Sequence, residues 1–255
     1  MQEQTMTLSP VEWRGRQKSY FDQLATDERF LQDDAEIVSP SFAQTRKVKA
    51  LFESAGFPPG GRILEVGCGT GLYSVAALRQ GYKLTVLDFS PFSLSVLKSR
   101  AGKLTLSQNL EEVVCASVES MSFENCFDGV FCANFFHHVY DIEGAVRKMG
   151  KAVKEGGNVL CLEPNGLFPL WRVAGLVWPA FRWDMEKGLL RCTANNLVRI
   201  FESLGLGHVE CRGWALFPKF VINRTSQLVK VEEVLIGRTR LRKFTGQLMI
   251  RGTKI

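Results

Sequence analysis

Residues 63–71 read ILEVGCGTG, an apolar run of strand character that ends in glycines at every second position. A loop with so few side chains lets a ligand approach the backbone itself. Residues 72–80 read as a helix, whose free N–H groups would face the same ligand. The G-x-G-x-G spacing differs from the G-x-G-x-x-G of the dinucleotide fingerprint. The segment therefore predicts a strand, loop and helix built around a bound small molecule.

A second strand-like run, KLTVLDFS at residues 83–90, ends in a carboxylate 21 residues after Gly67. In a parallel sheet this strand ends beside the first, where Asp88 can accept both hydroxyls of a ribose. The alternative role for Asp88 is to cap the helix that starts near Pro91, which Ser90 could do equally well. The glycine loop and the acid together predict a cofactor that contains a nucleoside.

Further motifs follow in order: SVESMSF at residues 117–123, FDGV at 127–130, NFFHHV at 134–139 and GGNVL at 156–160. With ILEVGCGTG and TVLDFS they cover about residues 60–163. This series resembles the class I S-adenosylmethionine-dependent methyltransferases, in particular the type 11 group that acts on small molecules. The resemblance implies a Rossmann-like, doubly wound seven-stranded sheet and S-adenosylmethionine as the cofactor.

The resemblance also implies a role for each matching residue. Glu65 would hold the methionine ammonium through water, Asp88 the ribose hydroxyls, and Phe89 would pack on the adenine. Many relatives have aspartate where this chain has Ser117, but a serine hydroxyl can still accept the adenine amino group's hydrogen bond. The implied cofactor-binding residues are Tyr20, Glu65, Gly67, Cys68, Gly69, Gly71, Asp88, Phe89, Ser117, Val118, Glu119 and Asn134.

Turn signals divide the chain into alternating helices and strands. Helices are predicted at residues 12–30, 40–55, 72–80, 91–101, 142–153 and 194–204. Strands are predicted at residues 62–67, 83–87, 112–116, 128–133, 157–162, 207–213 and 247–251, with the last antiparallel as in the resembled family. We expect one domain over residues 1–255, made of N-terminal helices (1–58), a cofactor-binding core (59–163), a cap (164–190), and a C-terminal half with a basic insertion (191–255).

The predicted cap is rich in aromatic side chains. It emerges from the carboxyl edge of the sheet, where ligands bind in this kind of fold. We expect it to cover the sheet and to line an apolar pocket for the methyl acceptor. Its aromatic residues are Phe168, Trp171, Trp178, Phe181 and Trp183.

Three residues near the expected methyl group are candidates for a general base. His137 and His138 follow the fourth strand, where a neutral imidazole could accept a proton. Glu163 ends the fifth strand. The alternative roles are loop packing for the histidines and a turn anchor for the glutamate. Positioning alone can contribute about 7–11 kcal/mol to such a transfer, more than the roughly 3–5 kcal/mol of a base, so the enzyme could work without one.

Composition narrows the class of protein. The seven cysteines are scattered singly, without a C-x-x-C pair or a metal-ligand spacing, so we expect free thiols, a reducing compartment and no metal site. The N-terminus has no signal-peptide organisation, and no apolar run approaches the ~20 residues that span a bilayer. We therefore expect a cytoplasmic protein.

Positive charge is concentrated near the C-terminus. The chain carries a net charge of +6, and residues 219–255 hold nine Lys or Arg against two Glu. Arg238, Arg240 and Arg242 would share one face if that segment is extended. We interpret this basic cluster as a solvated edge that resists strand addition. The alternative is a face that binds phosphate, lipid head groups or RNA.

These observations predict methyl transfer from S-adenosylmethionine to a small apolar or amphipathic acceptor. One alternative is an RNA or other anionic substrate bound by the basic C-terminus; another is a non-catalytic, cofactor-binding partner subunit. The loop after the fourth strand reads NFFH, without the Pro-Pro of amino-methylating nucleic-acid enzymes, and Cys132 lacks the preceding proline of the RNA cytosine enzymes. A nucleic-acid partner is therefore the less favoured interpretation.

Overall fold

The computed structural model describes residues 9–26, 37, 39–171, 186–238 and 243–255. Seven strands form one sheet in the order β3-β2-β1-β4-β5-β7-β6. Strand β7 runs antiparallel to both of its neighbours, and the other strand pairs are parallel. The strands are β1 (Arg62–Val66), β2 (Lys83–Asp88), β3 (Leu110–Cys115), β4 (Phe127–Ala133), β5 (Val153–Pro164), β6 (Leu206–Trp214) and β7 (Gln247–Lys254).

Helices cover both faces of this sheet. The helices of the described residues are α1 (Pro10–Thr26), α2 (Phe42–Ala55), α3 (Leu72–Arg79), α4 (Pro91–Lys103), α5 (Ile142–Ala152), α6 (Ala194–Ser203), α7 (Lys219–Arg224) and α8 (Leu228–Arg238). Side chains of α2, α3 and α4 pack on one face, and side chains of α5 and α6 pack on the other. Because both faces are buried, β1, β2 and β4 consist almost wholly of buried residues.

The fold class and the antiparallel last strand are confirmed. Two predicted bounds were wrong by more than two residues: β5 begins at Val153, directly after α5, instead of near residue 157, and β7 ends at Lys254 instead of residue 251. Residues 27–30 of the first predicted helix lie outside the described residues. So do the cap residues Trp178, Phe181 and Trp183, as well as Arg240 and Arg242 of the basic cluster.

The order of the strands places a crevice between β1 and β4. The chain continues from β1 to β2 on one side and from β4 to β5 on the other, so the two loops that follow β1 and β4 separate at the carboxyl edge. All seven cysteines are free thiols, as expected. Within the described ranges, every helix is too short or too polar to cross a lipid bilayer.

Candidate active site

The glycine loop after β1 is shaped by close packing at two of its glycines. A Cβ atom at Gly67 would lie 2.2 Å from the ring of Phe135, and one at Gly71 would lie 2.8 Å from Leu97. At Gly69, by contrast, a Cβ atom would meet nothing within 4 Å. All three glycines have positive φ, which disfavours any other residue. The backbone at Gly69 therefore offers an open surface on which a ligand can lie.

Asp88, at the end of β2, binds this loop directly. Its Oδ2 accepts a hydrogen bond from the Gly69 N–H at 2.9 Å, and its Oδ1 accepts one from the Ser90 N–H at 2.9 Å. Burial raises the pKa of the carboxyl, and these hydrogen bonds oppose the increase. Ser90 caps α4, as its side chain accepts from the Ser93 N–H. The capping role considered for Asp88 thus belongs to Ser90.

Glu65 lies below the loop and is almost completely buried. Its carboxylate accepts a hydrogen bond of 2.5 Å from the Ser74 hydroxyl of α3. Burial raises the pKa of Glu65 to about 8. A buried acid without a matching cation is suited to receive a positively charged ligand group.

A cavity of about 280 Å³ lies over the glycine loop, and we call it the cofactor cavity. Nine of the twelve predicted cofactor residues line it, whereas Tyr20, Glu65 and Gly71 do not. The nine are Gly67, Cys68, Gly69, Asp88, Phe89, Ser117, Val118, Glu119 and Asn134. The open backbone at Gly69, the paired oxygens of Asp88 and the apolar ring of Phe89 fit a nucleoside-containing cofactor such as S-adenosylmethionine.

Helix α1 forms the roof of the cofactor cavity. Its residues Trp13, Arg14, Gln17 and Phe21 line the cavity, and sequence reasoning did not find them. The Trp13 Nε1–H donates to the His138 carbonyl at 2.8 Å. This hydrogen bond joins positions 125 residues apart, so the sequence carries no local signal for it. The predicted Tyr20 packs edge-to-face on Phe21 instead of lining the cavity.

The loop after β4 is held from beneath by Glu163. One carboxylate oxygen accepts the N–H groups of Phe135 and Phe136, each at 2.8 Å, and the other lies 2.8 Å from Nδ1 of His137. Burial raises the pKa of Glu163 to about 7 and lowers the pKa of His137 to about 3. Neither Glu163 nor His137 lines the cofactor cavity. Their contacts are those of an anchor for the loop.

His138 differs from its neighbour because it lines the cofactor cavity. Its ring packs edge-to-face on Phe21, and within the described part of the chain its Nδ1 has no hydrogen-bond partner. Burial lowers its pKa well below the usual value, so the imidazole is neutral. Of the three candidate bases, His138 is the one placed beside the space that a cofactor would fill. The role of each candidate remains a prediction.

One group near this loop has the composition of a metal site. Nitrogen atoms of His137 and His138 and an oxygen of Glu186 lie within 4.8 Å of one another. The positively charged Arg191 guanidinium lies near this group, and burial together with this charge lowers the pKa of His137. A second cation is disfavoured beside that guanidinium, which donates to the Val139 and Tyr140 carbonyls. We therefore assign no metal to this group.

A second cavity, of about 550 Å³, lies beside the first, and we call it the acceptor cavity. Its walls come from the start of α2, from the described part of the predicted cap and from the segment after β6. Most of the lining is apolar. Its aromatic members are Phe168, Trp171, Trp214, Phe217 and Phe220. Phe168 and Trp171 thus line an apolar cavity, and that this cavity holds the methyl acceptor stays a prediction. The contribution of α2 and of Trp214 was not foreseen.

Asn134 lines both cavities, and it is one of the few residues other than glycine with positive φ. It follows β4 directly, and its N–H donates to the Leu162 carbonyl of β5 at 2.8 Å. Asparagine tolerates this left-handed backbone better than most residues. The two cavities therefore meet at the end of β4, within the crevice between β1 and β4.

The outer wall of the acceptor cavity is fastened by Glu232 of α8. This fully buried carboxylate accepts the N–H groups of Leu216 and Phe217 and pairs with Arg46 of α2 at 2.7 Å. The Arg46 guanidinium also lies over the ring of Trp214, 4.3 Å from its centroid. The three arginines Arg238, Arg240 and Arg242 were expected to share one face if their segment is extended. Arg238, however, is the last residue of helix α8, so its backbone is helical.

Comparisons with known proteins agree with this architecture. The family model described as "Methyltransferase domain" matches residues 64–161. A ubiquinone biosynthesis O-methyltransferase of Alkalilimnicola ehrlichii is 34% identical over 101 residues, which are 40% of this chain and 40% of that protein. A demethylmenaquinone methyltransferase of Bacillus cereus is 28% identical over 175 residues, which cover 60% of this chain and 73% of that protein.

Among solved structures, phosphoethanolamine N-methyltransferase 2 of Haemonchus contortus in complex with S-adenosyl-L-methionine has the same fold. The TM-score is 0.68 at 17% sequence identity, and the match covers 93% of this chain and 60% of that one. The matched family region contains the glycine loop, Asp88 and the loop after β4, which form the cofactor cavity. Residues 64–161 are thus a methyltransferase domain, and the relatives and the fold of the chain are those of class I S-adenosylmethionine-dependent methyltransferases.

Proposed function

We propose that this protein transfers the methyl group of S-adenosylmethionine to a small apolar or amphipathic acceptor bound in the acceptor cavity. The observation that carries the proposal is the meeting of two cavities at Asn134. One cavity has the glycine backbone and carboxylate that suit the cofactor, and the other is apolar and of a size typical for small-molecule sites. The names of the two quinone-pathway relatives support an acceptor with an apolar ring.

Two polar side chains of α2 would recognise an oxygen on such an acceptor. Gln44 lines the acceptor cavity and is 4% exposed, and its Nε2 has no hydrogen-bond partner among the described residues. Lys47 lines the same cavity, and its ammonium lies 5.8 Å from the ring centroid of Tyr73, which lines the cofactor cavity. The charge of Lys47 therefore lies near the wall between the cavities, where it would stabilise an ionised acceptor oxygen.

The chemistry that the bound cofactor supplies is a methyl group on a positively charged sulfur. The glycine loop, Asp88 and Phe89 would hold the cofactor, which would supply its methyl group to an acceptor atom that gives up its proton. The apolar walls exclude water, and Asn134 and the glycine loop fix the approach. His138 is the candidate base on position alone, because it lines the cofactor cavity and its Nδ1 has no hydrogen-bond partner among the described residues, whereas burial lowers its pKa and makes it a weak base. His137 and Glu163 would hold the loop in place.

The direct test is transfer of radiolabelled methyl groups to acceptors of different classes. The purified protein would be incubated with the labelled cofactor and with demethylated quinones, simple phenols, amines or RNA, each in a separate reaction. We expect label in the organic extract with a ring-bearing oxygen acceptor. Label found only in RNA would support the alternative substrate. Tight cofactor binding without any turnover would support the non-catalytic subunit.

Variants of α2 make the test specific to the acceptor cavity. Lys47→Met should lower kcat/KM for the acceptor by about 10- to 100-fold, while the cofactor dissociation constant changes less than about twofold. The matched control is Lys49→Met, since Lys49 is an exposed residue of the same helix that only pairs with Glu53 at 3.7 Å. That variant should retain full activity. An equal loss in both variants would remove the proposed role of Lys47.

A further inference from the structure

Large apolar side chains are exposed around the opening of the acceptor cavity. Leu170 and Phe220, which line the cavity, are 46% and 65% exposed. Other exposed apolar residues lie in the segments that contact this wall. We call the set the docking rim, and it consists of Leu167, Leu170, Phe220, Val231, Val234 and Phe244. Exposed apolar patches of this kind mark interaction sites in monomeric proteins.

Hydrogen bonds show that the docking rim belongs to one region of the surface. The Asn165 side-chain amide donates to the carbonyls of Lys243 and Thr245, which places Phe244 near Leu167. Glu232 binds the backbone of Leu216 and Phe217 in the cavity wall, which places α8 against that wall. The residues of the docking rim therefore belong to segments that adjoin the acceptor cavity, and Leu170 and Phe220 line it.

Helix α8 departs from the usual amphipathic pattern at three positions. One of its two glutamates, Glu232, is fully buried, whereas Val231 and Val234, one turn apart, are 47% and 50% exposed. A surface helix normally turns its apolar side chains to the core and its charges to water. This orientation leaves two valines on the outer surface that the rest of the described chain does not cover.

Positive charges accompany the docking rim. Lys219, Arg224, Lys230 and Lys243 are all exposed. The two acidic residues of the segment, Glu232 and Glu233, both pair with Arg46, which offsets one of their two negative charges. Over residues 219–243 the sequence holds seven basic side chains against these two acids.

We propose that the docking rim binds the surface of an anionic lipid bilayer. The apolar side chains would enter the boundary between head groups and acyl chains, and the lysines would contact lipid phosphates. A second copy of the chain is a poorer occupant, because two positively charged rims would face each other. Two residues of the docking rim, Leu170 and Phe220, also line the apolar acceptor cavity, so a lipid-soluble acceptor could pass from the bilayer into that cavity. Only this last point rests on the proposed function.

The experiment is co-sedimentation of the 255-residue chain with lipid vesicles. Vesicles of phosphatidylcholine are compared with vesicles that contain about one third phosphatidylglycerol, in about 50 mM and about 500 mM salt. We expect binding to the anionic vesicles in low salt only. The double variant Lys230→Gln/Lys243→Gln should weaken binding to the anionic vesicles about 25-fold, since each lost charge should weaken it roughly fivefold. Val231→Ser/Val234→Ser should weaken it at least about tenfold.

The matched control is Lys98→Gln/Lys103→Gln, which removes two exposed charges from α4, beside β2 and β3 at the opposite end of the sheet. It should bind vesicles like the unchanged protein. Calorimetry with S-adenosylhomocysteine verifies that each variant is folded. Failure to bind anionic vesicles, equal binding to neutral ones, or a gel shift with RNA in place of vesicle binding would overturn the proposal. If methyl transfer to a soluble acceptor persists in that case, the proposed function stands without it.

Discussion

At the residue scale, Asp88 binds the backbone of the glycine loop and is also proposed to bind the cofactor. In the free protein its oxygens hold the Gly69 and Ser90 N–H groups, and in the proposed complex it also binds the ribose hydroxyls. Asp88→Ala should weaken cofactor binding at least about tenfold, because charge-assisted hydrogen bonds are lost and the loop is released. Titration calorimetry measures this directly, with Glu119→Gln at the exposed edge of the cavity as the milder comparison. Unchanged affinity in Asp88→Ala would disprove the ribose assignment.

Glu65 gives the second prediction at this scale, a pH dependence of cofactor binding. With a pKa of about 8, Glu65 holds a proton in the free protein at pH 7. A bound ammonium favours the carboxylate, so binding releases the proton, and affinity should rise with pH, by up to about tenfold per unit, until it levels off above about pH 8. Calorimetry in two buffers of different ionisation enthalpy would detect the released proton. Glu65→Gln should bind more weakly and release none; the same proton release in that variant would refute the assignment.

At the scale of elements, α1 covers the cofactor cavity, and we expect it to slow the release of a bound cofactor. Trp13 is 3% exposed and fastens the helix to the loop after β4 through the His138 carbonyl. Trp13→Phe keeps a ring but loses the donor, so cofactor dissociation should become about two- to tenfold faster in stopped-flow measurements. Val11→Ala, on the exposed side of the same helix, should leave the rate unchanged. If dissociation is equally fast in both variants, α1 is not held by this bond.

At the scale of the whole molecule, Arg46 and Glu232 connect the C-terminal insertion to α2. Glu232→Ala would leave a largely buried guanidinium and two backbone N–H groups without their acceptor. We expect a loss of about 3–5 kcal/mol in the free energy of unfolding, measured in urea. Glu233→Ala removes an exposed partner of the same arginine and should change stability by less than about 0.5 kcal/mol. A small effect of Glu232→Ala would show that the insertion is held by apolar packing.

Sequence patterns predicted what is local in this fold. The strands, the glycine loop and Asp88 follow from apolar runs, glycine spacing and an acid at a strand end, and the structure places them together. Patterns failed where distant segments meet. Trp13 reaches His138 across 125 residues, and Gln44 lies opposite Trp214, without any periodicity or motif that pairs them. The aromatic cap was predicted from composition alone. Phe168 and Trp171 do line a cavity, but composition did not show which other segments would form the walls of that cavity.

The position of Asn134 has a kinetic consequence. Helix α1 covers the cofactor cavity, whereas the described parts of the two insertions line the acceptor cavity. Among the described lining residues, the two cavities share Asn134 alone. Neither ligand then has to leave before the other arrives. We therefore expect the cofactor and the acceptor to bind in random order. Double-reciprocal plots of the initial rate, measured at several fixed concentrations of the second substrate, should then intersect. Parallel lines would mean that one product leaves before the second substrate binds, which is incompatible with this arrangement.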